Sequence, residues 1–384
     1  MVIESKGALS GITVLDLSRM LPGPYASMIL ADHGARVIAI EDRRFVADDL
    51  FIDTVNRNKE HMSLNLKHAD GQKIFHQLLQ GADVVMEGFR PGVVNRLGVD
   101  YDSVRRVNPG IIYCAITGYG QTGPLRDRAG HDVNYMAQAG VLDLVGEKDR
   151  PPAIPAVQIA DIAGGGLNAA IGILLALFAR EKTGEGQYID ISMTDGILGL
   201  LSLPLYTMQR RGRAPERGDT ALSHRYACYN VYQTKDGRFI SVGAVENRFW
   251  EKLCRSLEVP EFGPLQYDEN RREEITATLR WIFKSKTLGD WEEILTEVDA
   301  CWAPVRTLEE VLNEPLFRER EMVLEIEGKG SRKKPVLGIP VKMGLTAGSI
   351  RSAPVSFGQN TRDILQELGY AEEDIARLAK DGVI

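Results

Sequence analysis

Cysteine is scarce in this chain of 384 residues. Its four thiols, Cys114, Cys228, Cys254 and Cys301, are widely scattered, with no CxxC pair and no histidine at ligand spacing. That pattern speaks against a zinc site and for buried free thiols, so we expect no metal and a reducing, cytoplasmic setting. Excess positive charge is missing as well. With 46 Lys and Arg against 53 Asp and Glu, the formal charge is -7, which argues against non-specific nucleic-acid binding but leaves room for local basic clusters. Long apolar runs are absent: the longest, Ile171 to Phe178, is far too short to span a bilayer, so no membrane partner is expected. Met1 to Ser10 has no apolar core for a signal peptide. The chain also lacks internal repeats, low-complexity tracts and a GxGxxG fingerprint.

What is present reads as alternating strands and helices. Gly11 to Leu17 is a buried parallel strand by its apolar, β-branched content, and Leu21-Pro22-Gly23-Pro24 turns it into a helix closing at Gly34. Ala35 to Glu41, Met62 to Leu66, Ala82 to Glu87, Ile111 to Thr117 and Glu185 to Met193 are further strands, with a helix over 70–79. This predicts an α/β chain with a doubly wound, mostly parallel, Rossmann-like sheet in a large domain, 1–210. A helix over 195–210 is expected to kink or break at Pro204. The basic, turn-rich stretch that follows marks a linker, 211–228. A hairpin turning at Lys235-Asp236-Gly237 and helices over 247–257, 271–284 and 288–298 then predict a smaller α+β domain, 229–320. A last helix is expected over 360–368.

Two stretches carry candidate chemistry. Gly130-His131-Asp132 puts a histidine where a loop gives way to an apolar segment, and Asp161 stands between the strand-like run 157–160 and Gly164-Gly165-Gly166. A histidine and a carboxylate, each at the mouth of a helix, suit two-base proton transfer or carboxylate nucleophilic catalysis; both are also common helix caps. Arg43, Arg44, Arg57 and Arg90 recur at or just beyond strand ends, the edge where open α/β sheets bind ligands, and together suggest a polyanionic ligand such as a phosphorylated nucleotide. His33, His61, His68 and His76 sit on polar or helix-end positions and are assigned no role.

In this order, Val14-Leu15-Asp16-Leu17 with Pro22-Gly23-Pro24, Asn56-Arg57-Asn58-Lys59, Glu87-Gly88-Phe89-Arg90-Pro91-Gly92, Thr117 to Pro124, Thr183 to Gln187, Ser192 to Gly196 and Pro354 to Thr361 resemble one family over nearly the whole chain. It is that of the family III CoA-transferases together with the α-methylacyl-CoA racemases. The resemblance implies that 321–384 return to the large domain and that two chains form an interlocked homodimer binding an acyl-CoA thioester, with coenzyme A part of the substrate and no further cofactor. It also implies one of two reactions. In a transferase, Asp161 would attack the thioester and form an acyl anhydride. In a racemase, Asp161 and His131 would be the two proton carriers, the backbone N–H of Asp132 the oxyanion donor, and Glu246, in Val242-Gly243-Ala244-Val245-Glu246, the residue that orients the His131 ring. Arg43, Arg57 and Arg90 would then contact the CoA phosphates. The Gly-His-Asp-x-Asn-Tyr block favours the racemase. His224-Arg225-Tyr226-Ala227, where racemases carry Gly-Gly-Ala-Pro, and Trp250 are departures from that pattern. A CoA-binding chain without activity is the non-enzymatic alternative.

Overall fold

The structure, a computed structural model, describes residues 7–48, 51–327 and 333–384. It divides into two units: residues 1–140, 155–200 and 315–384 form the first, and residues 141–154 and 201–314 the second. The boundaries differ from those expected. The change comes at 200 rather than 210, the return begins at 315 rather than 321, and 141–154 joins the second unit although it lies inside the expected large domain.

The first unit is built on six strands: β1 (Thr13–Asp16), β2 (Arg36–Glu41), β3 (Glu60–Ser63), β4 (Val84–Glu87), β5 (Ile112–Thr117) and β6 (Tyr188–Ser192). Their order is β3-β2-β1-β4-β5-β6 and every pairing is parallel, which is the doubly wound sheet the sequence predicts. Successive side chains leave opposite faces, so each of the four central strands feeds two cores. Leu15, Ile38, Val85 and Tyr113 pack on one face with Ile74, Phe75 and Leu79 of α2 (Ala69–Leu79), the helix α1 being Pro22–Asp32. Val14, Val37, Val84 and Ile112 pack on the other with Ala26 and Leu30 of α1. Short helices α3 (Val93–Leu97), α4 (Tyr101–Val107) and α5 (Asp132–Gln138) follow, then α6 (Asn168–Thr183) and α7 (Met193–Leu198). The sheet switches direction between β1 and β4, and the crevice at the carboxyl ends of such strands is where open α/β sheets generally accommodate ligands.

Strand β3 is an edge, and the returning tail covers it. Asn360 and His61 exchange hydrogen bonds, His61 N–H to Asn360 Oδ1 at 3.0 Å and Asn360 N–H to His61 O at 2.9 Å. Ser63 N–H donates to Thr361 Oγ1 at 2.9 Å, and Gly358 N–H donates to the His61 ring at Nδ1, also at 2.9 Å. His61 is therefore a buried strand residue, not the polar or helix-end position expected of it.

In the second unit, α8 (Ser202–Arg211) precedes an antiparallel sheet of β7 (Tyr229–Gln233), β8 (Phe239–Gly243) and β9 (Trp302–Pro304). Helices α9 (Asn247–Ser256), α10 (Arg272–Phe283) and α11 (Leu288–Leu295) close a core around Tyr232, Trp250, Phe283 and Trp291. Pro204 does not break a helix. The break is the 3₁₀ turn Gly199–Leu201, and Pro204 sits in the first turn of α8, where a missing N–H costs nothing. Cys301 is exposed, in contrast to the other three thiols.

Candidate active site

Residues Ala160–Leu167 form a π-helix that runs straight into α6, so Asp161 lies inside the first turn of one helix spanning Ala160–Thr183. Asp161 is thus within the helix, not in a break between a strand-like run and the three glycines. The whole 24-residue segment is long and apolar enough to cross a membrane, unlike the short run counted in the sequence, but Ala169, Ala170, Ile173 and Ala176 pack against the sheet. The three glycines make the wide helix fit. A Cβ on Gly164 would stand 2.5 Å from the Met193 carbonyl oxygen at the start of α7, and one on Gly166 would stand 2.9 Å from the carbonyl oxygen of Pro22 in α1. Wide π turns of this kind recur at functional sites.

His131 is the N-cap of α5. Its backbone N–H donates to Asn134 Oδ1 at 3.0 Å and its carbonyl accepts from Asn134 N–H at 2.8 Å, leaving the exposed imidazole at the helix mouth. Asp132, the first helical residue, is buried, and its carboxylate accepts the backbone N–H of Asp161 at 3.0 Å. One hydrogen bond thus ties α5 to the π-helix and brings His131, Asp132 and Asp161 into one cluster. The Asp132 N–H, at N1, has no acceptor within its helix. Burial, and next the charge of Asp132, push the Asp161 carboxyl up to about 6, with His131 pulling the other way. A carboxyl there is matched to proton transfer near neutrality. Tyr135, one turn into α5, belongs to the same cluster: its hydroxyl donates to Gly130 O at 2.5 Å, and burial, then Asp161, raise it to about 12. In the sequence Tyr135 appears only as the last residue of the Gly-His-Asp-x-Asn-Tyr block.

The three arginines separate. Arg57 is 3% exposed; its Nη2 lies 2.6 Å from Asp32 Oδ2 and its Nη1 donates to the Leu337 carbonyl. With its guanidinium consumed inside the unit, it is a core brace and not the phosphate contact expected of it. Arg90, in the loop after β4, and Arg43, in the 3₁₀ turn Arg43–Asp48 after β2, are exposed and make no ion pair among the described residues. Glu246 is the exposed N-cap of α9, in the second unit.

Two buried ionisable groups, Glu87 and Lys59, enter the sequence reading only as members of the quoted strands and motifs. Glu87, at the end of β4, is 1% exposed and accepts the Phe89 N–H at 2.7 Å; burial pushes its carboxyl up to about 8. Lys59 donates to the Pro24 carbonyl at 2.8 Å and lies 3.9 Å from Asp16, and burial lowers its ammonium to about 8. Glu87 stands at the carboxyl end of β4, where the sequence shows an acid ending a strand, whereas Lys59 precedes β3 and only its ammonium reaches towards Asp16 at the end of β1.

Residues 9–361 match the family described as CoA-transferase family III. α-Methylacyl-CoA racemase of Homo sapiens is 35% identical over 98% of this chain and 97% of its own length. An acyl-CoA transferase of Fusarium pseudograminearum (strain CS3096) is also 35% identical, over 99% of this chain and 89% of its own. The crystal structure of a CAIB/BAIF family protein from Brucella suis superposes with a TM-score of 0.83 at 29% identity, covering 94% of this chain and all of that one. Racemase and transferase relatives stand at equal identity, but the fold, the motifs and the match along the chain agree on the family: the chain is an enzyme of CoA-transferase family III.

Proposed function

We propose that this chain inverts the α-carbon of 2-methylacyl-CoA thioesters by two-base proton transfer. The observation that carries the reading is the convergence of an exposed imidazole and a carboxyl raised to about 6 on one hydrogen-bonded junction, that of Asp132 with Asp161. An α-proton of a thioester is a weak acid, so its removal needs a base held against it and a donor for the enolate oxygen. One of Asp161 and His131 takes the proton, the electron pair of the C–H bond passes into the enolate, and the other returns a proton to the opposite face. The Asp132 N–H at the helix mouth is the proposed enolate donor. Glu246 is the proposed partner that keeps the His131 ring in the useful tautomer. Arg43 and Arg90 are proposed for the CoA phosphates, now without Arg57. The exposed Ile171, Leu174, Leu175 and Phe178 on α6 support a homodimer that covers them, as the resemblance implies.

A second reading is family III acyl transfer, in which the Asp161 carboxylate attacks the thioester carbon, expels CoA thiolate and becomes an acyl anhydride. It is favoured by the equal identity to a transferase. Incubating the protein with a 2-methylacyl-CoA in deuterated water separates the two. Deuterium at the α-carbon with inversion supports the racemase, whereas CoA moving to an added free acid without exchange supports the transferase. If neither occurs, the remaining reading is a CoA-binding chain without activity. Asp161→Ala removes a base in one reaction and the nucleophile in the other, so full activity in that variant overturns both.

A further inference from the structure

Between His131 and Asp161 the chain makes an excursion: it leaves the first unit after Gly140 and returns at Pro155, and the 14 residues between belong to the second unit. One end of this loop continues from α5, the other leads within seven residues to Asp161. A connection of that length with only the 3₁₀ turn Leu142–Leu144 is functional more often than incidental in a compact chain.

The loop is held by a built clasp. The half-buried Arg217 donates from Nη1 to the Asp143 carbonyl at 2.8 Å and to Asp143 Oδ1 at 3.0 Å, from Nη2 to the Arg150 carbonyl at 2.9 Å, and from Nε to the Glu147 carbonyl at 3.3 Å. A planar guanidinium with five donors in a fixed fork can hold all four acceptors at once, one more than the three N–H groups of a lysine can reach. Next to it, Gly218 adopts φ +64 with its backbone against the loop, so that a Cβ there would stand 2.5 Å from Lys148 N. Lys148 Nζ reaches Asp219 Oδ2 at 3.2 Å, and Ala153 N–H closes the loop on the Val145 carbonyl at 2.9 Å.

We propose that Arg217 is a positioning residue for the His131–Asp161 pair: by pinning residues 141–154 it fixes both chain ends from which α5 and the π-helix take their places. The inference rests on reading that pair as catalytic. Displacements of about 1 Å at a reacting group cost on the order of a hundredfold in rate, so slack in the loop appears in turnover before it appears in binding.

Arg217→Ala is the test, with Arg217→Lys as the milder variant and Gly218→Ala as an independent way to push loop and clasp apart. Amide hydrogen exchange on the full chain is expected to rise in 141–154 and also in 131–138 and 157–167, while β1 to β4 stay protected. Turnover of whichever reaction the wild type catalyses is expected to fall about ten- to a hundredfold with KM nearly unchanged, and Arg217→Lys to lie between. Exchange that rises only within 141–154, or a loosened loop with unchanged turnover, overturns the proposal. Should the wild type catalyse neither reaction, the functional reading fails, but the exchange pattern still decides whether the clasp positions the two elements. If Arg217→Ala does not fold, the other two variants carry the same comparison.

Discussion

The carboxylate of Asp132 accepts the backbone N–H of Asp161 at 3.0 Å, so two acids 29 positions apart share one junction. After burial, the charge of Asp132 is the main influence raising the Asp161 carboxyl. Asp132→Asn keeps an acceptor and removes the charge. The acid limb of kcat/KM, which rises as Asp161 loses its proton, is expected to move from about 6 to lower pH. Asp132→Ala also loses the hydrogen bond and should cost a further ~1–3 kcal/mol of stability or positioning. Profiles of rate against pH for the three proteins check this; a limb that stays in place removes Asp132 as its cause.

His131→Ala separates the two reactions. With one proton carrier gone, inversion should fall about a hundred- to ten-thousandfold. Asp161 still faces one side of the α-carbon, so deuterium exchange without inversion should survive for one enantiomer and vanish for the other. Acyl transfer through Asp161 predicts a modest loss with neither enantiomer singled out. Exchange measured from each enantiomer separately decides, and symmetric loss or symmetric retention counts against the two-base mechanism.

Arg90 and Arg57 share a residue type and should behave as opposites. Arg90→Ala removes an exposed cation proposed for the CoA phosphates, so KM for CoA thioesters should rise with kcat largely kept. Arg57→Ala strands the buried Asp32 carboxylate and should cost ~3–5 kcal/mol of stability. Steady-state kinetics and denaturant unfolding on both variants test the contrast; a stable Arg57→Ala protein with a raised KM would restore Arg57 as a phosphate contact.

Glu87 makes the fold lose stability as pH rises from about 4.5 to about 8. Its carboxyl stays protonated in the native state up to about 8, whereas in the unfolded chain it ionises near 4.5. Between those values the native state binds the extra proton, so stability falls as pH rises, by about 1.4 kcal/mol per pH unit for this one group. Glu87→Gln keeps an acceptor for the Phe89 N–H and should flatten the dependence, leaving the variant more stable than the wild type above about pH 8. Melting temperatures across that range provide the check.

Strands β1, β2, β4 and β5 were legible because they are nearly continuous apolar runs, and each ends in a polar residue such as Asp16 or Glu87 that breaks the pattern. His131 and Asp161 were legible from residue type and flanking glycines. Their junction was not, since a side chain meeting a backbone N–H 29 positions away leaves no periodic trace. The π geometry of Ala160–Leu167 was hidden for another reason: glycines that read as a loop serve here as close contacts with Pro22 and Met193. Strand β9 is three residues long, too short to alternate visibly. The fate of Arg57 depended on Asp32 and Leu337, distant partners that no local pattern names.

The tail that covers β3 has a consequence for how the protein is made. The last segment of the first unit, residues 315–384, is synthesised only after the entire second unit has emerged. Until then the β3 edge has no Asn360 or Thr361 to occupy its N–H and C=O groups, and the apolar face later covered by Ile364, Leu365, Ile375 and Leu378 is bare. A nascent chain therefore carries an open strand template through most of translation, the condition under which edges pair with the wrong neighbour. The second unit, whose largest segment emerges uninterrupted, is free to fold on the ribosome, whereas the sheet bearing His131 and Asp161 is finished only when the final helices arrive.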